Sequence, residues 1–168
     1  MNLIYKITVI LLIGIAGCKG NEKDKANTSN SFESEIDSIH LKNLNNSPID
    51  LGQYQGKTVF INFWATWCKP CLEEMPSIQA AMNKLKNENI VFLFASDESP
   101  DQIENFKTNY NYNFNYVKVE NLEELSIMAL PTTYIISPRG KLVFSEMGYR
   151  KWDNKQNIDL ILNIIKEK

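Results

Sequence analysis

Thr58-Val59-Phe60-Ile61-Asn62-Phe63-Trp64-Ala65-Thr66-Trp67-Cys68-Lys69-Pro70-Cys71 is the stretch that decides the reading of this chain. Its first part, Thr58 to Phe63, is rich in β-branched and aromatic residues and apolar almost throughout, as a central buried strand should be. After Cys71, the residues Leu72, Met75, Ile78, Met82 and Leu85 recur three or four apart, the period of an amphipathic helix. Two thiols therefore stand at a strand-to-helix junction. The thiolate is the reactive form of cysteine, and an unperturbed thiol with a pKa of about 8.5 holds little of it at neutral pH. A helix start offers unpaired N–H groups and the positive end of the dipole, which stabilise a thiolate at Cys68. Pro70 has no N–H to lose in a first turn. Cys71 comes nearly one turn later, so its sulfur can reach Cys68 and close a short disulfide.

Two other readings of such a pair stand beside redox chemistry. A Cys-x-x-Cys can be half of a zinc site, but the chain has no second pair, only Cys18 and the lone His40 far upstream. A purely structural disulfide would close so small a loop that it adds little chain-entropy stabilisation.

Working outward, the 168 residues suit one domain with short extensions. The net charge of −2 and the dispersed Lys and Arg give no basis for nucleic-acid binding. Residues 1–17 read as an export signal: Lys6 is positive, and Ile7 to Ile15 is an apolar run too short to cross a bilayer comfortably. The run ends Ile15-Ala16-Gly17-Cys18, which resembles a bacterial lipobox, with Cys18 as the lipidated mature N-terminus. Residues 18–31 are polar and charged and read as a flexible tether. The domain is expected to occupy 32–168, outside the cytoplasm and beside a membrane.

Phe32 to Leu51 reads as a strand pair with turn residues at Asn43 to Pro48, and His40 as a surface or packing residue on it. Pro76 should kink the helix that follows the cysteines. Ile90 to Ala95 is a second buried strand. Ser99-Pro100-Asp101-Gln102 has the capping-box pattern and opens a helix faced by Ile103, Phe106 and Tyr110. Asn111 to Asn115 is a polar-aromatic loop whose rings pack beneath it. Tyr116 to Val119 is a short strand, and Asn121 to Met128 a short helix with Asn121 and Glu124 as cap partners. Thr133 to Ile136 and Lys141 to Glu146 form a hairpin about Pro138-Arg139-Gly140. A last helix is expected to begin near Asp153 with Gln156 three residues on, burying Ile158, Ile161, Leu162 and Ile165. Strands separated by helices argue for parallel pairing and the final hairpin for antiparallel pairing, hence an α/β fold with a mixed sheet and helices on both faces.

Asn62-Phe63-Trp64-Ala65-Thr66-Trp67-Cys68-Lys69-Pro70-Cys71, with Glu74-Met75-Pro76 and Leu130-Pro131-Thr132-Thr133, resembles the thioredoxin fold, and within it the membrane-tethered TlpA/ResA type of thiol–disulfide oxidoreductase. The resemblance runs from about Ile39 to the C-terminus. It implies a thioredoxin-like sheet with an N-terminal β-hairpin extension and a short βα insert. It further implies a cis Pro131 against the disulfide and a Leu130 backbone that pairs with substrate as an added strand. Family members place a buried Asp where this chain has Asn62, and this branch instead uses an acid one turn after the second cysteine, matched by Glu74. The site implied is Cys68, Cys71 and Glu74, with Trp67, Lys69, Pro70, Leu130 and Pro131 tuning the couple or touching the substrate. Lys69 stands where reducing relatives often carry an acid. A cation there favours the Cys68 thiolate and a more oxidising couple, and Glu74 pushes the other way.

The function implied is an extracytoplasmic protein-disulfide reductase that needs no cofactor and no metal. Its partners would be a disulfide-bearing protein, by resemblance the haem-binding cysteine pair of apocytochrome c, and a membrane thiol electron donor. A disulfide oxidase or isomerase would use the same residues. A metal carrier is disfavoured because copper carriers of this fold add a His after the pair, absent here, and a thiol peroxidase does not usually need Cys-x-Pro-Cys.

Overall fold

The computed structural model describes Ile36 and residues 38–167. The export signal, Cys18, the tether and residues 32–35 of the first expected strand lie outside the described residues. The elements are β1 (Leu41–Lys42), β2 (Pro48–Ile49), a 3-10 turn (Leu51–Tyr54), β3 (Thr58–Phe63), α1 (Lys69–Lys84), β4 (Ile90–Ser96), α2 (Pro100–Asn109), β5 (Tyr116–Val119), β6 (Thr132–Ile136), β7 (Leu142–Met147) and α3 (Lys155–Ile165). The seven strands form one sheet in the order β2-β1-β5-β4-β3-β6-β7. β3 pairs in parallel with β4, and β4 with β5, across the helical crossovers α1 and α2. β6 runs antiparallel to β3 and to β7, as a hairpin after Gly140 at φ 76° requires. The N-terminal hairpin joins through β1, antiparallel to β5. This is the thioredoxin-like mixed sheet with its hairpin extension.

Period-two alternation divides the strand side chains between two apolar clusters. Phe60, Phe92, Phe94, Tyr116 and Ile135 meet the buried faces of all three helices. Val59, Ile61, Phe63, Leu93, Val117 and Tyr134 face the other way, against Ile39, Leu41 and Leu51 with Leu122, Leu125 and Ile127 alongside. The helices expected on both faces are thus on one face among the described residues. The opposite face is covered by the hairpin region and by the 121–130 connection.

That connection is the main departure from the sequence reading. Residues 121–128 form turns, not a helix. Asn121 does bond Glu124, but its amide also donates to Ser38 O at 2.7 Å and its Oδ1 accepts the His40 N–H at 3.0 Å. It ties the chain ahead of β1 to the end of β5, and Ser126 at φ 57° breaks any helical path. The hairpin strands are also shorter than expected, because Ser38 is in a turn and Ile39 and His40 precede β1. α3 is capped one residue later than expected, by Asn154 accepting from the Asn157 N–H. α1 continues through the exposed Pro76 as a single helix. The capping box at Ser99 and Gln102 forms as expected. Phe114, 8 % exposed, stacks on Phe94 at 3.7 Å, so the polar-aromatic loop does bury a ring.

Candidate active site

β3 delivers the chain to the motif. Trp64 donates its backbone N–H to Ala95 O, and Cys68 donates to Ala65 O, which turns the chain into α1. Cys68 is the cap of α1: its Sγ accepts the Cys71 backbone N–H at 3.3 Å, the contact that a capping oxygen usually makes. Pro70 occupies the first turn, where no N–H goes unpaired. Cys68 and Cys71 are joined by a disulfide, with their Cα atoms 5.3 Å apart. The pair is nearly covered, at 3 % and 1 % exposure, while Trp67 beside it is 73 % exposed.

The loop before the motif is held by Glu98. Its Oε2 accepts the Thr66 N–H at 2.7 Å and its Oε1 the Thr66 hydroxyl at 2.6 Å, with Ser96 Oγ donating to Oε2 at 3.1 Å. Nothing in the sequence singled Glu98 out.

β6 closes the same end of the sheet. Thr132 pairs with Phe63 and with Met147, so Pro131 lies beside the end of β3 from which the motif departs. The Leu130–Pro131 peptide bond is cis. Pro131 O accepts the Gly148 N–H at 2.7 Å, and Leu130 packs against the cluster that contains both cysteines. Met128, Met147 and Tyr149 belong to segments reaching this end and are exposed, like Trp67.

Glu74 lies on the buried stripe of α1, three residues beyond Cys71, and is 1 % exposed. Asn62 shares the parity of Phe60 on β3, so its amide is directed at this helix. Asn62 Nδ2 donates to Glu74 Oε1 at 3.1 Å and to Thr133 Oγ1 at 3.1 Å. The Trp152 indole Nε1 donates to Oε1 at 2.8 Å, and the Arg150 backbone N–H to Oε2 at 3.0 Å. Burial pushes the Glu74 carboxyl up to about 7, and the Glu146 charge adds to that rise. The N–H groups of Arg150, Trp152 and Asn62 pull the other way by favouring the carboxylate. Arg150 itself pairs with Glu146 and donates from Nε to Asn157 Oδ1 at 2.7 Å. Sequence reasoning missed Arg150, Trp152 and Asn157; the one available signal was a Trp amid Lys, Asp and Asn.

Lys69 projects into solvent with its side chain 87 % exposed, 3.9 Å from Glu73 one turn on. Such a pair is weak and screened. Among the described residues no group of three or more His, Cys, Asp or Glu is arranged to hold a metal ion, and no helix is long and apolar enough to cross a membrane.

Residues 33–145 match the AhpC/TSA family. The thiol-disulfide oxidoreductase ResA of Bacillus subtilis is 30 % identical over 141 residues, covering 82 % of this chain and 79 % of the relative. The thioredoxin-like protein YneN of the same organism is 30 % identical over 165 residues, covering 92 % and 95 %. Among solved structures, the exposed lipoprotein thioredoxin of Streptococcus pneumoniae superposes with a TM-score of 0.58 at 26 % identity, over 77 % of this chain and 98 % of that one. A putative thiol-disulfide oxidoreductase from Bacteroides vulgatus shares the fold, with a TM-score of 0.65 at 22 % identity over 74 % and 90 %. A disulfide capping a helix at the end of a thioredoxin-like sheet, in a chain this similar to ResA, leads to one conclusion: the chain belongs to the AhpC/TSA family and is a thiol–disulfide oxidoreductase of the ResA, thioredoxin-like type.

Proposed function

We propose that this oxidoreductase acts as a reductase of protein disulfides outside the cytoplasm, held to a bacterial membrane by a lipid on Cys18. The observation that carries the direction is the unequal standing of two charges. Lys69 would stabilise a Cys68 thiolate and make the couple more oxidising, but its charge sits in water beside Glu73. Glu74 is buried, so its charge is poorly screened. A carboxylate there disfavours thiolate in the reduced pair, which lowers the potential and makes the dithiol the better donor.

In the reaction, the Cys68 thiolate attacks one sulfur of the substrate disulfide. A Cys68–substrate disulfide forms and the other substrate sulfur leaves as thiolate. The Cys71 thiol then passes its proton to Glu74 and attacks Cys68 Sγ. The substrate's second sulfur leaves as thiolate, and the protein is left oxidised by two electrons as the Cys68–Cys71 disulfide. A membrane dithiol donor must return those electrons. Trp67, Pro70, Leu130 and Pro131 would line the approach, with the Leu130 backbone adding the substrate as a strand. The exposed Trp67, Met128, Met147 and Tyr149 suit apolar residues flanking the client's cysteines. The resemblance to ResA points to the haem-binding cysteine pair of apocytochrome c as a client. The lipobox-like Ile15-Ala16-Gly17-Cys18 and the lipoprotein named among the structural neighbours support the anchored location, with 1–17 as signal, 18–31 as tether and 32–168 as the working domain.

Lys69 favours the second reading, an oxidase or isomerase of secreted proteins built from the same residues. Equilibration with glutathione or thioredoxin separates the two. A reductase is expected to have a potential near or below about −250 mV, to reduce insulin, and to be held as dithiol in cells. A couple near about −120 mV kept as disulfide in cells would overturn the reductase reading.

A further inference from the structure

Glu74 is held by donors from elements far apart in sequence, and their distribution over its two oxygens is unequal. Oε1 accepts from the Trp152 indole at 2.8 Å and from the Asn62 amide at 3.1 Å. Oε2 accepts from the Arg150 backbone N–H at 3.0 Å. The Asn62 amide is fixed in this orientation by its second N–H, which reaches Thr133 Oγ1. A carboxylate oxygen has two lone pairs for hydrogen bonding. Among the described residues, both are used on Oε1 and one remains on Oε2.

We infer that Trp152 is a positioning residue for the redox reaction: with Asn62 it saturates Oε1 of Glu74 and so directs the proton released by Cys71 onto Oε2. The inference rests on the reading of Glu74 as proton acceptor. The step balances simply: the Cys71 S–H bond breaks, an Oε2–H bond forms, and the electron pair stays on sulfur for attack on Cys68.

The indole is built into place. Its ring packs edge-on against Phe60 at 4.7 Å and Phe144 at 5.9 Å, and it is 1 % exposed. Its backbone N–H donates to Ser77 Oγ at 3.1 Å, and the Ser77 hydroxyl donates to Glu74 O at 2.9 Å, so the 150–152 segment is strapped to the same turn of α1. Among the described residues, the charged and titratable groups facing Glu74 are few. β7 brings Glu146, already paired with Arg150; α1 brings the two cysteines; β3 and β6 bring only the uncharged Asn62 and Thr133. Asn157 of α3 holds the Arg150 guanidinium.

The test follows the three indole N–H resonances of the wild-type, oxidised protein by nitrogen-15 NMR across pH, with the Glu74 side-chain carboxyl carbon followed by carbon-13. The Trp152 resonance is expected to titrate with the same midpoint as the Glu74 carboxyl, and to lose that titration in Glu74→Gln. The exposed Trp67 is the internal control. Trp152→Phe keeps a ring against Phe60 and removes the donor. It is expected to raise the Glu74 midpoint by about one pH unit, and to move the pH profile of mixed-disulfide resolution with it. In a Glu74→Gln background, Trp152→Phe is expected to leave that profile unmoved. A Trp152 resonance that stays flat while the carboxyl titrates would overturn the inference, and so would a folded Trp152→Phe with an unchanged midpoint. Should Trp152→Phe not fold, the wild-type titration decides alone. If Trp152 tracks Glu74 but Glu74→Gln resolves mixed disulfides as fast as wild type at every pH, the proton-acceptor reading itself has failed.

Discussion

Glu74 and Glu98 brace the redox motif from its two ends, and they do so differently. Glu98 grips Thr66, ahead of Cys68, through the backbone N–H and the hydroxyl of one residue, and stays half-buried. Glu74 follows Cys71 on α1, is nearly water-free, and is held by N–H groups from residues 62, 150 and 152. The same carboxyl group thus serves as a strap at one end and, on the proposed reading, as a proton site at the other. Burial makes the difference, because desolvation disfavours the charged form and brings Glu74 to about 7, where it can both take and give a proton near neutrality.

The comparison breaks most visibly at Glu74. Glu74→Gln keeps the shape and removes the proposed base, so resolution of a Cys68 mixed disulfide at pH 7 is expected to slow by about 100-fold, read by stopped-flow release of a fluorescent peptide thiol. An equal loss in Glu98→Gln would erase the distinction between the two carboxylates.

The next effect is on stability. The folded-state pKa of Glu74 is raised above its unfolded value. Its contribution is therefore fully present below about pH 4.5 and is lost as pH rises through about 7. Urea unfolding of the oxidised protein is expected to show a fall on the order of 3 kcal/mol across that window. Glu74→Gln should remove the fall. A wild-type curve that rises over the same window would contradict the assignment.

Glu98→Ala should have the opposite profile. It leaves the Thr66 N–H and hydroxyl without their acceptor and is expected to cost about 1–2 kcal/mol with no change in the pH dependence of resolution. The smallest effect belongs to Lys69. Lys69→Ala is expected to raise the Cys68 thiol titration by a few tenths of a pH unit at low salt, and by less at high salt.

The sequence reading succeeded where local chemistry and tertiary structure agree. Thr58 to Phe63 is buried and largely apolar on both faces because it is an interior strand of the sheet, and the stripe from Cys71 to Leu85 has one period because α1 buries one side. Cys68 and Cys71 were legible because they sit in a short motif at a strand-to-helix junction, whereas Pro131 was legible only through the family resemblance. Glu74 was legible only through resemblance, since an acid in a first turn also suits the helix dipole. What failed was set by contacts distant in sequence. Residues 121–128 have helical composition, but Asn121 is drawn to Ser38 and His40, more than eighty positions away. Arg150 and Trp152 follow β7 in a polar stretch with no periodicity, and only the folded chain shows that they close over Glu74. Asn62 was noted as a departure from an Asp; the structure shows its amide supplying a donor to the acid that stands nearby.

The central claim is that Cys68 exchanges first with a foreign disulfide and Cys71 resolves. The direct measurement is to mix reduced Cys71→Ala and Cys68→Ala proteins with a disulfide-bearing peptide and locate the adduct by mass spectrometry. The account predicts a stable adduct on Cys68 in the first protein and little or none in the second. A stable adduct on Cys71 in Cys68→Ala, with none on Cys68 in Cys71→Ala, would contradict it.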